Sequence, residues 1–410
     1  MSDMPTTDEG QTRRFLEKRE AILDAAADLF NRRGIRGTTL ADVAQSVGLV
    51  TNSVTYYYRK KDDLALACVL RSVDVFDELL AAAEKARTPE LRITNFVTGF
   101  FRLLADVETG ARPQFINFSE VNALSATRAD VAAVYAQMFR RVRGLIGNDP
   151  RLGLHRSERN ARTHLLFTLT QWTRVWITRY EVTGYARAGR HASDILLRGF
   201  GGADAAWMPP TIPALTGPPS AEEISPDAFL RVATRLINEE GFRGTSVERI
   251  SAALKVTKGS FYHHNDNKDD LILACFQRSF DVIRRTQAAA DTCECGWQRL
   301  SAAAAALLKY QLSNDGPLLR ITARSGLPEA EAQQTIRIMN RLSEHFAGVV
   351  VDGVADGSVR PVDPAIAAQM LNGMINASAS IKRWVPEATI GNVADLYARP
   401  LFMGILCPSA

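Results

Sequence analysis

The chain has 410 residues, enough for two or three domains, and 46% hydrophobic with 23% charged residues is the balance of an ordinary globular protein. No apolar run reaches about 18 residues, which excludes a membrane-spanning helix. The polar start Met1-Ser-Asp-Met-Pro-Thr-Thr-Asp-Glu-Gly lacks a signal-peptide core, five cysteines suit a reducing compartment, and a cytoplasmic protein is therefore expected.

In chain order, residues 1–17 read as a flexible arm, basic toward its end at Arg13 and Arg14, with Lys18 and Arg19 following. Apolar residues at 22, 25, 26, 29 and 30 then fall on one helical face. Gly34 stands where a left-handed residue ends that helix, and Thr39 suits the cap of a second. A tight turn, a third short helix and a long helix from Lys61-Asp-Asp-Leu follow. Residues 65–200 continue in helical periodicity and are rich in aromatics. Residues 201–224 carry Pro209, Pro210, Pro213, Pro218 and Pro219, and read as an extended linker. About 20 such residues reach up to roughly 65 Å, which hardly restricts how the flanking segments dock.

Beyond the linker the chain starts again. Residues 22–76 align without a gap on 229–283, and roughly 20 of these 55 positions are identical, against about three by chance. Asn31-Arg-Arg-Gly-Ile-Arg-Gly-Thr-Thr lies over Asn238-Glu-Glu-Gly-Phe-Arg-Gly-Thr-Ser, and Lys61-Asp-Asp-Leu-Ala-Leu-Ala-Cys over Lys268-Asp-Asp-Leu-Ile-Leu-Ala-Cys. A trace survives at the far end, where Leu196-Leu-Arg-Gly-Phe matches Leu401-Phe-Met-Gly-Ile. Gly241 and Ser246 repeat Gly34 and Thr39, and Asp363-Pro364 reads as a helix cap followed by proline at the first helical position. No period-two alternation stands out, so the fold class is all-α: two tandem modules with boundaries at 18–64, 65–200, 225–271 and 272–410.

Each module opens helix, glycine turn, short helix, tight turn, short helix. Copy two gives Val256-Thr-Lys-Gly-Ser-Phe-Tyr-His-His-Asn before Lys268-Asp-Asp-Leu; copy one gives Gly48-Leu-Val-Thr-Asn-Ser-Val-Thr-Tyr-Tyr-Tyr before Lys61-Asp-Asp-Leu. These stretches resemble the TetR family of bacterial regulators. The resemblance implies a three-helix helix-turn-helix head and a helical ligand-binding and dimerisation domain in each module, with double-stranded DNA as partner. It implies a transcriptional repressor, nucleoid-associated, released by a small-molecule effector. A short helix whose N-terminal end enters the major groove needs small side chains and free amides there. By this resemblance the DNA-facing set of copy one is Thr39, Thr51, Asn52, Ser53, Thr55, Tyr56, Tyr57 and Lys61. That of copy two is Ser246, Thr257, Lys258, Gly259, Ser260, Tyr262, His263, His264 and Lys268. Val50 replaces the usual capping serine, so Thr51 is expected to cap one residue late; Lys255 stands where copy one has Gly48, and Asn265 takes the usual phenylalanine site. The two recognition stretches differ, so an operator of unlike half-sites is expected.

The remainder of each module is the expected sensor. Copy one offers Phe96, Phe100, Phe101, Phe115, Phe118, Trp172, Trp176 and Tyr180, the last three at four-residue spacing on one helical face, with Gln171, Thr173 and Arg174 as polar neighbours. The ordinary reading is core; the sharper one is an apolar pocket in which Phe100, Phe118, Gln171, Trp172 and Trp176 take a lipophilic effector. Copy two places Met370, Asn372, Met374, Asn376 and Trp384 in that region instead. The last two helices of each module are expected to pair as an intramolecular pseudo-dimer, leaving room for a further homodimer.

Cys68 and Cys275 occupy equivalent positions on an apolar helix side and read as buried structural thiols. Cys293 and Cys295 have no second pair or nearby histidine to complete a zinc site, and His263-His264 project about 100° apart on a helix, so no metal is expected. No phosphate loop, nucleophile elbow or zincin helix occurs, so neither enzyme activity, a catalytic residue nor a cofactor is expected. The competing reading is a ligand- or partner-binding protein with one or both heads degraded.

Overall fold

The computed structural model describes residues 7–35, 37–117, 129–213, 226–241, 245–254 and 267–409. Phe118 and the copy-two stretch 255–266, with Thr257, Lys258, Gly259, Ser260, Tyr262, His263 and His264, lie outside them. The described residues are helical without a named strand, and their β-type pairing is an isolated bridge between Gly201 and Val359. They fall into two compact units, Met1–Glu78 with Asp106–Met138, and Leu79–Ala105 with Phe139–Ala410.

The first unit holds α1 (Thr7–Arg33), α2 (Leu40–Ser46), α3 (Thr51–Tyr57), most of α4 (Lys61–Glu84) and the segment that follows α5 (Pro89–Glu108). Ile22, Ala26 and Phe30 from α1 lie with Val43, Val54, Leu64 and Phe76 in a core with at most 1% exposure, while Ala25 and Leu29 of the predicted apolar face are half-buried. Phe115, expected among the sensor aromatics, belongs to this unit and stands edge-on to Phe76, 6.1 Å between ring centres.

The second unit contains the described part of copy two and, from copy one, the C-terminal part of α6 (Ala129–Ile146), α7 (Arg156–Trp176) and α8 (Tyr185–Arg198). Copy two supplies α9 (Pro226–Glu240), α10 (Val247–Leu254), α11 (Lys268–Ala290), α12 (Gly296–Leu312), α13 (Glu329–Ala355) and α14 (Pro364–Ser378). A π-helical turn, Ala394–Ala398, runs on into α15 (Arg399–Phe402). Asp363 caps α14 by accepting from the Ile366 amide at 3.1 Å, and Pro364 is its first residue, as the sequence indicates.

α7 is buried nearly all round between Ala161 and Thr173, so its polar side chains must find partners inside. Thr163, Thr168 and Thr170 bond the carbonyls four residues back. Arg162 reaches the carbonyls of Ile405 and Cys407, and Tyr397 meets His164 Nδ1 at 2.8 Å. α7 and α8 pack on α14 and the Ala394–Phe402 stretch, so the ends of the two copies meet. The meeting is nearly reciprocal. The Phe200 amide donates to Phe402 and the Ile405 amide to Leu196. A Cβ at Gly199 would fall 2.0 Å from the Phe402 carbonyl oxygen, and one at Gly404 2.3 Å from that of Leu197. This close approach accounts for the glycine retained in the faint terminal repeat.

The linker departs from expectation over its first part. Gly202 bonds Ser358, the Trp207 indole donates to Asp395 at 2.8 Å, and the Trp297 indole donates to the Ala206 carbonyl at 3.0 Å. Two tryptophans with apolar bodies and polar tips pin this stretch to copy two, where proline content suggested a free tether.

Candidate nucleic-acid interface

In the first head, α1 ends at Gly34, whose φ of +72° is open to glycine at no steric penalty, and Gly241 repeats it at +75° in the second. A buried threonine stands four residues after the glycine in both: Thr38 Oγ1 bonds the Gly34 carbonyl at 3.1 Å, and Thr245 Oγ1 bonds that of Gly241 at 3.0 Å. Thr39 then opens α2 with a complete capping box, its hydroxyl accepting from the Asp42 amide while the Asp42 carboxylate accepts from the Thr39 amide at 2.7 Å. Ser246 accepts from the Arg249 amide at 3.2 Å in the second head. The sequence reading offers both residues as helix caps and as DNA contacts, and in the fold each is a helix cap.

α3 follows a turn through Gly48 and starts at Thr51. The expected late cap does not form: Val50 is the N-cap residue, has extended backbone and no capping side-chain bond, and is 70% exposed. Valine has no oxygen to offer, and Thr51 is already helical. Val54 and Tyr58 anchor α3 in the core, which leaves Thr51, Asn52 and Tyr56 exposed and Ser53, Thr55 and Tyr57 half-buried. The outward face therefore carries a hydroxyl, an amide and a phenol, groups suited to base edges and phosphate oxygens. The Thr55 hydroxyl donates to the Asn52 carbonyl, and Tyr57 packs on Phe15 of α1 at 4.7 Å. Both have local structural work beside any contact with DNA. Lys61 begins α4 and Lys268 begins α11, where Asn267 caps the helix by accepting from Asp270.

A second repeated feature was missed from sequence. On α1, Asn31 donates to the Phe115 carbonyl and accepts from the Asn117 amide; on α4, Ser72 accepts from the Ile116 amide and Arg71 bonds the Gln114 carbonyl. In copy two Asn238 does the same with Leu318 and Arg320, Ser279 accepts from Leu319, and Arg278 bonds the Asp315 carbonyl. Each head is thus sewn by an Asn, a Ser and an Arg to a distant segment, the one after α5 in copy one and the one after α12 in copy two. The signal available was that these polar residues, not only apolar ones, are identical across the repeat. Cys68 and Cys275 sit beside these clamps, buried as expected, and burial pushes their thiols up to about 12 and about 11.

Of the sensor residues, Phe100, Gln171, Trp172 and Trp176 are all buried in the second unit. α7 ends at Trp176, so Tyr180 lies past a 3-10 turn and not on the same helix, although its ring still meets Trp176 at 5.9 Å. Trp172 faces Gly373 of α14 in copy two, which makes this face shared between the copies. Among the described residues neither amide atom of Gln171 nor the Trp172 indole nitrogen has a hydrogen-bond partner. Met370 and Met374 are buried, Asn372 bonds Ser343, and Asn376 accepts from Ile321, so copy two has spent these polar groups on its own packing. Among the described residues no cluster of three His, Cys, Asp or Glu is arranged to hold a metal ion, and no helix is long and apolar enough to cross a membrane.

The three-helix head of copy one, whose glycine turn and second-helix cap recur in copy two at Gly241 and Ser246, continues by a long helix and defines a helix-turn-helix protein. The profile of the bacterial regulatory proteins, tetR family, matches residues 22–68 and again 229–275, and that of the tetracyclin repressor-like C-terminal domain matches 294–386. The chain belongs to the TetR family, as a tandem of two modules, and is a transcriptional regulator with a DNA-binding helix-turn-helix and a ligand-binding domain. Similar proteins include the transposon Tn10 TetC protein of Escherichia coli, 26% identical over 36% of this chain and 74% of the relative. The HTH-type transcriptional repressor DhaR of Mycobacterium sp. (strain GP1) is 28% identical over 31% of this chain and 66% of its own. The regulator RutR of Escherichia coli (strain K12) is 29% identical over 21% and 41%. Among solved structures, AibR in complex with isovaleryl coenzyme A and operator DNA is 24% identical, covers 45% of this chain and all of its own, and superposes with a TM-score of 0.38.

Proposed function

We propose that this regulator is a small-molecule-responsive repressor whose two heads, joined in one chain as an intramolecular pseudo-dimer, read an operator of two unlike half-sites. The observation that carries the reading is the reciprocal contact of Gly199 with Phe402 and of Gly404 with Leu197, the arrangement expected where equivalent surfaces meet about a two-fold axis. In this reading the two heads address successive major grooves about 34–36 Å apart or a multiple of it. Dissimilar recognition residues, Thr51, Asn52 and Tyr56 against Lys258, Gly259 and His263, support dissimilar half-sites. In this reading the lipophilic effector binds at Phe100, Phe118, Gln171, Trp172 and Trp176; support comes from the unpaired Gln171 amide and Trp172 indole, which offer donors and an acceptor in an apolar setting. Its release of DNA rests on differential affinity for two states, passed to each head through its Asn-Ser-Arg clamp. The reading includes a cytoplasmic protein without enzyme activity.

The test is selection of random duplex DNA by the purified chain at near-physiological salt, with particle mass measured in parallel. A bipartite motif with unlike halves and the mass of one chain are expected. A perfect palindrome, or a particle of two chains pairing like with like, overturns the asymmetric reading. The uncapped α3 at Val50 favours the second reading, a ligand-binding protein with a weakened first head; that reading expects salt-dependent binding without an enriched sequence.

A further inference from the structure

A groove of about 430 Å³ lies between the end of α6 and the start of α7, lined by Arg140, Arg143, Arg156 and Arg159 with Gly144, Gly147 and Asn148. Arg140, Arg143, Gly144 and Gly147 recur at helical spacing and share one side of the chain, while Arg156 and Arg159 are three apart in the first turn of α7. The lining holds four guanidinium groups and no carboxylate.

Neither local structure nor stability explains this arrangement. Cations at a helix N-terminus oppose its dipole, yet Arg156 is the first residue of α7 and Arg159 the fourth. The nearby acids are engaged elsewhere. Glu158 closes the capping box on the His155 amide and accepts from Ser409, and Asp149 holds Arg151 at 2.6 Å. The half-buried Arg143 and Arg159 are oriented by neutral amides, Asn160 and Asn148, so their charge is positioned but not neutralised. Arg140 and Arg156 have no ion-pair partner among the described residues. Copy two does not repeat the feature: from its cap, Asp363, the positions matching Arg156 and Arg159 are Pro364 and Ala367.

We infer that this groove is a binding site for a small molecule bearing a pyrophosphate or comparable multivalent phosphoryl group, separate from the apolar effector face. Four guanidinium forks on one lining suit adjacent phosphoryl oxygens, the group for which guanidinium geometry is best fitted. The volume falls in the range of small-ligand sites, and a concave lining with half-buried guanidiniums suits a compact anion better than the convex backbone of duplex DNA. The site also reaches copy two. Asn160, which orients Arg143, donates to the Trp384 carbonyl at 3.1 Å, and the Trp384 ring stacks on Phe139 of α6 at 3.9 Å. An anion drawing on Arg143 thereby bears on a contact between the two copies.

The test is calorimetric titration of the full chain with inorganic pyrophosphate at fixed ionic strength, beside inorganic sulfate and a short non-specific DNA duplex. Saturable one-to-one uptake of pyrophosphate, stronger than sulfate, is expected. The double variant Arg140→Gln, Arg156→Gln should weaken it at least about tenfold, as loss of charge-assisted bonds implies. A charge-matched control, Arg187→Gln with Arg285→Gln on exposed helix faces, should leave it unchanged. Absence of saturable pyrophosphate uptake by the unmodified chain overturns the proposal, as does equal weakening in the control. Loss of duplex affinity in the groove variant without pyrophosphate binding overturns it too, and gives the groove to the DNA backbone instead.

Discussion

His164 lies on the buried helix α7, 3% exposed, with its Nδ1 against the Tyr397 hydroxyl. Burial, helped by the positive charge of Arg320, pushes its pKa from 6.5 down to about 3. The unfolded chain therefore takes up a proton below about pH 6.5 that the folded chain refuses until about pH 3. Stability falls as pH falls through that window and levels off beneath it, at a slope near 1.4 kcal/mol per unit, or about 2 kcal/mol by pH 5. Denaturant titrations at pH 7 and pH 5 should show that loss, and His164→Gln should reduce the difference between the two; an unchanged difference refutes the assignment. Nothing in the sequence around His164 suggested this, because its partner is 233 positions away. The same holds for Arg162, whose two carbonyl acceptors lie on the C-terminal tail. Arg162→Met should destabilise the chain by about 3 kcal/mol, since two charge-assisted bonds go and buried carbonyls are left without donors; a loss below about 1 kcal/mol, read from denaturant midpoints, contradicts it.

At the scale of elements, the short helices of the first head are legible because local chemistry governs them. Gly34, Thr39 and Asp42 end one helix and start the next through atoms within a few residues of one another. The exception is α3, which begins without a side-chain cap at Val50. Val50→Ser should stabilise the head by about 1 kcal/mol by satisfying one free amide, visible as a raised denaturation midpoint. No change would mean that packing of Val54 and Tyr58 alone determines where α3 begins. The sensor helices were less legible. Trp172, Trp176 and Tyr180 have the spacing of one helical face, yet the helix ends at Trp176 because tertiary contacts, not periodicity, determine its length.

At the scale of the whole molecule, duplication supplies two surfaces of similar shape, and at the terminal glycines the ends of the copies approach closely enough to leave no room for a Cβ. Gly199→Ala and Gly404→Ala should both be strongly destabilising, by about 2 kcal/mol or more, because each new methyl meets a backbone carbonyl and neither backbone angle suits alanine. Thermal denaturation of the two variants should show losses of similar size. Tolerance of either one would argue against a close contact at that end.

The amino-acid sequence by itself determined the all-α class, the tandem repeat and the starts of the long helices at Lys61 and Lys268. Those features depend on hydrophobic period, caps and turn residues, all of which act over a few positions. Tertiary structure alone decided that Asn31 and Asn238 tie each head to a distant segment, that Trp207 and Trp297 pin the linker, and that four arginines line one groove. Hydrogen bonds and charges act through space, and the distance between partners along a chain leaves no periodic mark for a sequence reading to find.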